Sequence, residues 1–370
     1  MSARIAEAGA GAPSGAGESC AGRTPAPDEL EFRLLNEFQR DFPLVPRPYE
    51  EIARRLGVRE EQAIAALARL LSRGLASRIG ATFAPGRLGA ATLAALAVAP
   101  ERLEAVAAIV NAFPEVNHNY EREHRYNLWF VVTAPDDARV AAVVRAIESA
   151  AGCGRALSLP MIEAYRVDLG FDLRDGPGAP RRAASSGATG RRALAPAERA
   201  LAAALQQGLA LVPQPYAELG RRAGMAEEAA IATLCRWLEE GLVNRLGVIV
   251  RHRPLGFRAN AMVVWDVPDA RARAAGQALA RAPGVTLCYL RERRPPDWPY
   301  NLYCMIHGRN RVEALSRIAA LDALCGLAGY PYEVLFSRRC FRQCGARYVE
   351  EEAQAEHRGA AASSRTGGAR

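Results

Sequence analysis

Leu44-Val45-Pro46-Arg47-Pro48-Tyr49 and Leu211-Val212-Pro213-Gln214-Pro215-Tyr216 are one phrase written twice in a chain of 370 residues. Arg78-Ile79-Gly80 returns at the same offset as Arg245-Leu246-Gly247. Tyr126-Asn127-Leu128-Trp129-Phe130 returns, after a few inserted residues, as Tyr300-Asn301-Leu302-Tyr303-Cys304. A unit of roughly 150 residues can bury its own core, so this period marks a fusion of two domains of one fold and not a solenoid. The chain is therefore an internal pseudo-dimer. Its copies are free to diverge, and a cleft between them need not be symmetric.

Around the first phrase, Leu30, Leu34, Leu35 and Phe38 recur at helical spacing over 28–40, and Pro43, Pro46 and Pro48 then break the chain. Helices are predicted over 49–56, stopped by Gly57, and over 59–73, ending at Gly74. A strand over 76–83 and the turn Ala84-Pro85-Gly86 read as the wing of a winged helix-turn-helix. Strand 91–98, helix 101–112, strands 116–122 and 126–134, helix 135–150 and strand 156–171 follow. The order βαββαβ is ferredoxin-like, with both helices on one face of an antiparallel sheet. The second copy retraces these steps, with helices near 196–207, 216–223 and 226–240.

The predicted class is α+β: two tandem copies of a winged helix-turn-helix (28–88 and 194–256) plus a ferredoxin-like domain (89–173 and 257–350). Residues 174–193, a mixture of Gly, Pro, Ser and Arg, read as a linker, and 1–27 and 351–370 as a disordered lead-in and tail. This layout resembles that of the Lrp/AsnC-type regulators, but function lives in sites and not in folds.

Half of the residues are hydrophobic and 24% charged, as in an ordinary globular protein. No apolar run approaches the ~20 residues of a membrane span, and residues 1–27 lack the basic start and apolar block of a secretory signal. A cytoplasmic location without membrane contact is expected. Eight cysteines without a regular framework agree with it. The net charge of +8 is carried by arginine, which grips carboxylate or phosphate in a fixed fork, so a polyanionic partner is expected, nucleic acid or a small polycarboxylate.

The recognition helices argue against DNA. They open Arg59-Glu60-Glu61-Gln62 and Ala226-Glu227-Glu228-Ala229, pointing carboxylates where phosphates would lie. Only Arg69, Arg73 and Arg236 follow, and the two helices are unlike, whereas such regulators read paired half-sites with identical ones.

Chemistry concentrates in Asn117-His118-Asn119-Tyr120-Glu121-Arg122-Glu123-His124-Arg125-Tyr126-Asn127. Strand alternation puts His118, Tyr120 and Arg122 on one face, with His124 and Arg125 at the turn. Imidazole, phenol and guanidinium together can hold an anion and move a proton. In the second copy Tyr289 and Arg291 keep the places of Tyr120 and Arg122, but both histidines are gone. The longer loop carries Arg293, Arg294, three prolines and Trp298. His307, within Cys304-Met305-Ile306, reads as a core histidine. His252 near the second wing and His357 in the tail stand outside the expected site. Arg78 and Arg245 either face the cleft or pair with an acid. The C-x3-C spacing of Cys340 and Cys344, without a second ligand pair near in sequence, does not suggest zinc.

The opening phrase, the His-Asn-Tyr-x-Arg-x-His-x-Tyr-Asn-Leu-Trp-Phe hairpin at 118–130 and the run Pro-Asp-Trp-Pro-Tyr-Asn-Leu-Tyr-Cys-Met-Ile-His-Gly at 296–308 resemble the sirohaem decarboxylases. These are Lrp/AsnC-like proteins of haem d1 biosynthesis and the alternative haem pathway. The likeness covers nearly all of 28–350, as if the two subunit types of that family were fused. It implies removal of carbon dioxide from the C12 and C18 acetates of sirohaem, with no separate cofactor because the macrocycle is its own electron sink. For that reaction the residues themselves suggest roles: His118 and His124 supply the proton, or one of them ligates the substrate iron, Tyr120 orients or relays, and Arg122 and Arg125 hold carboxylates. Arg291, Arg293 and Arg294 hold further carboxylates, while Tyr126, Trp298 and Tyr300 line the ring. A DNA-binding regulator and a non-catalytic haem-binding sensor are the competing expectations, and further self-association through exposed sheet faces is open.

Overall fold

The computed structural model describes residues 26–168, 170, 172–174, 176 and 190–349. The expected lead-in up to residue 25, the linker over 177–189 and the tail from 350 lie outside the described residues. The first copy comprises α1 (Glu29–Glu37), α2 (Pro48–Leu56), α3 (Glu60–Ser72), β1 (Ala76–Phe83), β2 (Ala90–Leu96), α4 (Leu103–Asn111), β3 (Val116–Arg122), β4 (Leu128–Ala134), α5 (Asp137–Ala151) and β5 (Leu157–Val167). The second comprises α6 (Pro196–Gln206), α7 (Pro215–Ala223), α8 (Glu227–Glu239), β6 (Val243–Val250), β7 (Ala259–Trp265), α9 (Asp269–Arg281), β8 (Val285–Arg291), β9 (Leu302–Gly308), α10 (Arg311–Leu324) and β10 (Tyr332–Gln343).

Local chemistry fixes these elements. Asp28 caps α1 by accepting from the Glu31 amide at 2.8 Å, and Glu31 accepts in return from the Asp28 amide at 3.2 Å. Gly57, left-handed at φ 72°, ends α2. The repeated proline stands at the first turn of α2 and of α7, where a missing N–H costs nothing. The tyrosine after it is a clasp between copies. Buried Tyr49 donates its hydroxyl to the carbonyl of Ala210, and buried Tyr216 donates to that of Pro43, each at 2.8 Å.

The strands expected to be separate wings pair with each other. β1 runs antiparallel to β6, with Gly80 opposite Gly247. A lone strand after a helix-turn-helix leaves backbone groups open, and the sister copy satisfies them. The repeated glycines allow this ribbon to pack closely: a Cβ on Gly247 would stand 2.4 Å from the carbonyl oxygen of Gln39. Both helical modules share one core, in which Leu34, Leu67, Leu205 and Trp237 are fully buried.

Each ferredoxin-like sheet has the order last-first-third-second strand, β5-β2-β4-β3 and β10-β7-β9-β8. The last strands are long enough to serve both sheets. β5 pairs β2 through Leu157 to Pro160 and then β8 through Met161 to Val167. β10 pairs β7 through Tyr332 to Phe336 and then β3 through Ser337 to Gln343. Among the described residues eight strands thus close into one barrel. The sheet faces expected to remain open for self-association are turned inward on each other, because two half-apolar faces bury more by meeting than by facing water. Helices cover the outside. Val110 of α4 and Ile147 of α5 are fully buried against the sheet, as is Phe130 of β4, each burial worth ~1.5–3 kcal/mol.

Candidate active site

Alternation along β3 sends Asn119 outward to the carbonyl of Ala107 and the side chain of Asn111, and Glu121 outward to Arg338 and Arg339. His118, Tyr120 and Arg122 consequently point into the barrel. The rings of His118 and Tyr120 stack with centroids 6.2 Å apart, and the Arg122 guanidinium lies 5.8 Å from the Tyr120 ring centre. His118 Nδ1 meets Asn117 Oδ1 at 2.6 Å, and an N–H donated there leaves Nε2 bare. Arg122 donates to the carbonyl of Leu335 at 3.0 Å and touches Met305 Sδ at 3.9 Å.

The second copy completes this cluster from the opposite wall. His307 follows Met305 inward on β9, its Nδ1 lying 2.6 Å from Asn260 Oδ1, and the His252 ring is 6.0 Å from it. Burial, then the charge of Arg78, lowers His118 to about 4; burial, then Arg122 and Arg317, does the same to His307. Burial, followed by His307 and Arg245, takes His252 well below the ordinary range. Burial raises the Tyr120 phenol and pulls Arg122 down to about 10. The imidazoles are thus neutral at pH 7 in a positive surrounding. Arg122 has no carboxylate partner among the described residues, and its Nε is buried without a hydrogen bond. Burying a guanidinium without a carboxylate is costly, and an anion placed beside it would offset that cost.

His118, Tyr120 and Met305 are partly exposed, so this end of the inward-facing cluster is accessible. The barrel centre is filled by Trp129, Trp298, Leu335 and Tyr303. Across the pseudo-two-fold axis, Arg291 repeats the arrangement: it donates to the carbonyl of Leu159 at 2.9 Å and stands 5.0 Å over Tyr289 and 5.7 Å over Tyr303. Leu287 and Thr133 occupy the places of His118 and His307 there. One recess therefore carries imidazoles and its counterpart carries none.

Several expected site residues lie elsewhere. His124 does not join His118: four strand residues, about 13 Å, already separate His118 from Arg122. His124 lies beyond them at the turn, 5.3 Å from the Trp298 ring. Trp298 is no flap. It is 1% exposed, donates to Tyr303 Oη at 2.6 Å and packs on Trp129, Tyr126 and Tyr300, because the proline-rich loop folds it inward as a plug. Arg293 is a brace for that loop, ion-paired with Asp266 and Asp269 and bonded to the carbonyls of Pro299 and Val267. Arg294 pairs with Glu292 at 2.7 Å. Exposed Arg125 donates to the Asp297 carbonyl at 2.7 Å and covers Tyr126 at 4.8 Å, while Tyr300 donates to Glu333 at 3.4 Å. These residues form an aromatic and ionic cluster at the hairpin ends, apart from the His118 group.

His307, set aside in the sequence, lies near enough to Arg122 to feel its charge, and His252, also set aside, lies next to His307 with ring centroids 6.0 Å apart. The signal for His307 was the alternation Tyr303, Met305, His307 on one strand face. Nothing local marked His252. On the helical modules, Glu31 holds Arg69 at 2.9 Å and Arg73 at 2.6 Å, and Glu198 holds Arg236 at 2.6 Å. These guanidiniums are engaged by carboxylates and not presented to phosphates.

Comparison with known proteins shows the family. An AsnC-like ligand binding domain matches residues 87–166 and 254–342, and a siroheme decarboxylase NirDL-like HTH domain matches 31–75 and 198–243. The class is thus an AsnC-like protein in two fused copies. The chain is 49% identical over 324 residues to the siroheme decarboxylase NirDL subunit of Paracoccus denitrificans (strain Pd 1222), covering 87% of this chain and 98% of that one. The separate NirD subunit of Stutzerimonas stutzeri is 52% identical over 148 residues, 40% of this chain and 97% of its own. The crystal structure of a siroheme decarboxylase NirDL superposes with a TM-score of 0.62 at 27% identity, covering 90% of this chain and 99% of that one. Another, in co-complex with an iron-uroporphyrin III analogue, gives 0.60 at 26% identity, covering 90% and 98%. The chain belongs to the NirDL family of sirohaem decarboxylases. No helix among the described residues is long and apolar enough to cross a membrane.

Proposed function

We propose that this chain is a carboxy-lyase that removes carbon dioxide from two acetate side chains of sirohaem, at C12 and C18, in the recess of His118, Tyr120, Arg122 and His307. The observation that carries the assignment of the site is the buried Arg122, which has no acid to pair with among the described residues and acts on the neutral imidazole of His307, with Tyr120 between it and His118 along β3.

Each step breaks the bond between the methylene and the carboxyl carbon. Carbon dioxide leaves, the electron pair stays on the methylene carbon in conjugation with the macrocycle, and one proton makes the methyl group. No oxidant or reductant enters the balance, and no cofactor apart from the substrate is proposed. What the chain supplies is anion binding, orientation and a proton. Arg122 and Arg291 attract the carboxylates. Tyr120, kept protonated by burial, donates its hydroxyl. Entry of carboxylates brings the negative charge that the imidazoles lack, so His118 or His307 takes up a proton as substrate binds and passes it to carbon.

The regulator reading is disfavoured by the engaged arginines of α3 and α8. Anaerobic incubation with sirohaem, followed by mass spectrometry of the extracted pigment, tests the enzyme. Loss of two carbon dioxides is expected, and His118→Ala should slow it without unfolding the protein. Recovery of unchanged pigment from the wild type would leave only a carrier or sensor.

A further inference from the structure

The helix-turn-helix modules of this chain have an employment other than DNA. The end of the β1–β6 ribbon is fastened to the barrel by Arg253, which donates to the carbonyls of Ser337 and Arg338 on β10, and Arg78 of β1 lies against Gly345, whose neighbour Cys344 donates its amide to the carbonyl of Asn117 next to His118. Arg78, on β1, is the charge that acts on His118, and Arg251, just past β6, acts on Tyr120 and Cys340. Neither has a carboxylate partner among the described residues, and the Nε of each is buried without a hydrogen bond. Most other arginines of the helical modules are tied: Arg33, Arg47, Arg54, Arg69, Arg73, Arg221 and Arg236 all hold acids.

The Arg78 side chain is held in a slot cut by glycine. A Cβ on Gly345 would stand 3.0 Å from its Cζ, and one on Gly208 would stand 3.3 Å from its Cβ. Its counterpart Arg245 took the other course. It lies near Asp168, donates to the carbonyl of Gln39 at 3.4 Å and is 7% exposed. The two wing arginines thus serve different histidines: Arg78, which donates to the Ala81 carbonyl at 3.1 Å, acts on His118, and the more deeply buried Arg245 acts on His252.

We propose that Arg78 and Arg251 are substrate-binding residues, a roof of two guanidiniums contributed by the two helical modules, which grips peripheral carboxylates of the tetrapyrrole over the His118 recess. Strong attraction for a polyanion is then shared between barrel and roof, and the helical modules are retained as half of a small-molecule site. This inference rests on the proposed function.

The test is absorbance titration of the full chain with iron-uroporphyrin III, for the wild type, Arg78→Gln, Arg251→Gln, both together, and Arg145→Gln as an exposed control on α5. Each roof variant should raise Kd about tenfold, the double variant more than either, and Arg145→Gln should change it less than twofold. Arg78→Lys and Arg251→Lys, which keep the charge, should recover part of the loss, and KM for sirohaem should rise with kcat largely kept. Melting temperatures close to wild type exclude unfolding. Roof variants that bind within twofold of a wild type that binds and decarboxylates overturn the roof and leave the enzyme standing. A wild type that binds no iron-uroporphyrin III overturns the roof, and one that leaves sirohaem unchanged overturns the enzyme.

Discussion

Arg122 of the first copy donates to the backbone carbonyl of Leu335 in the second, 3.0 Å away, and so is positioned by a strand that belongs to the other half of the chain. Arg291 and Leu159 repeat the bond in the opposite sense. Neither copy alone contains a finished site. The four strands involved are those whose pairing closes the barrel, so anything that opens the barrel also displaces both guanidiniums.

Arg122→Gln should therefore reduce kcat/KM by about a hundredfold or more, since a buried, preorganised charge is removed. Arg291→Gln, in the recess without imidazoles, should cost about tenfold or less. Steady-state kinetics on sirohaem with both proteins checks this, and equal losses would show that the two recesses share the work equally.

His118→Gln and His307→Gln should each slow decarboxylation by about 10² to 10⁴, the usual range for loss of a general acid. His124→Gln, which removes a side chain packed on Trp298, should lower the melting temperature more than the rate. Rates and thermal melts on the same preparations separate the two effects. A rate loss at His124 as large as that at His118 would restore the turn to the catalytic site.

Stability should fall with acid in a defined window. His118 and His307 have folded values near 4, below the ordinary 6.5, so the folded state is favoured while both are neutral. That contribution is complete above about pH 6.5. It is lost as pH falls from there toward 4, because the unfolded chain binds the protons first, and the loss is about 3 kcal/mol per imidazole. Urea denaturation between pH 7.5 and 4 should show this slope, and His118→Gln with His307→Gln should flatten it. By the same linkage, substrate binding near pH 6 should take up protons, which calorimetry in buffers of different ionisation enthalpy would register.

Tyr49→Phe and Tyr216→Phe should each destabilise by about 1–3 kcal/mol, because each strands a carbonyl of the other copy in a buried setting. Chemical denaturation gives the values directly. A near-zero cost would mean that water replaces the hydroxyl.

Much of this protein was legible in its sequence. The doubled phrase gave the duplication, and helical and strand periods placed β1 and β3 on their observed bounds and most helices within two or three residues. Strand alternation put His118, Tyr120 and Arg122 on one face. These are local properties, set by 3.6- and 2-residue repeats and by capping chemistry within a few positions. The family likeness rested on the same kind of local signal.

Tertiary structure alone decided the rest. No local period tells β5 or β10 to change partners midway, so the closed barrel was invisible, as was the ribbon of β1 with β6. Trp298 looked like a surface flap because its loop is polar and rich in proline, and only the hollow it fills makes it a plug. Arg293 looked like a free cation until Asp266 and Asp269 came beside it, while the pairing of Arg78 with His118 and of His252 with His307 exists only once distant segments pack together. Sequence fixes which way a side chain leaves its own strand; what it meets there is set by pairing across more than a hundred residues, where burial and charge compensation choose the partner.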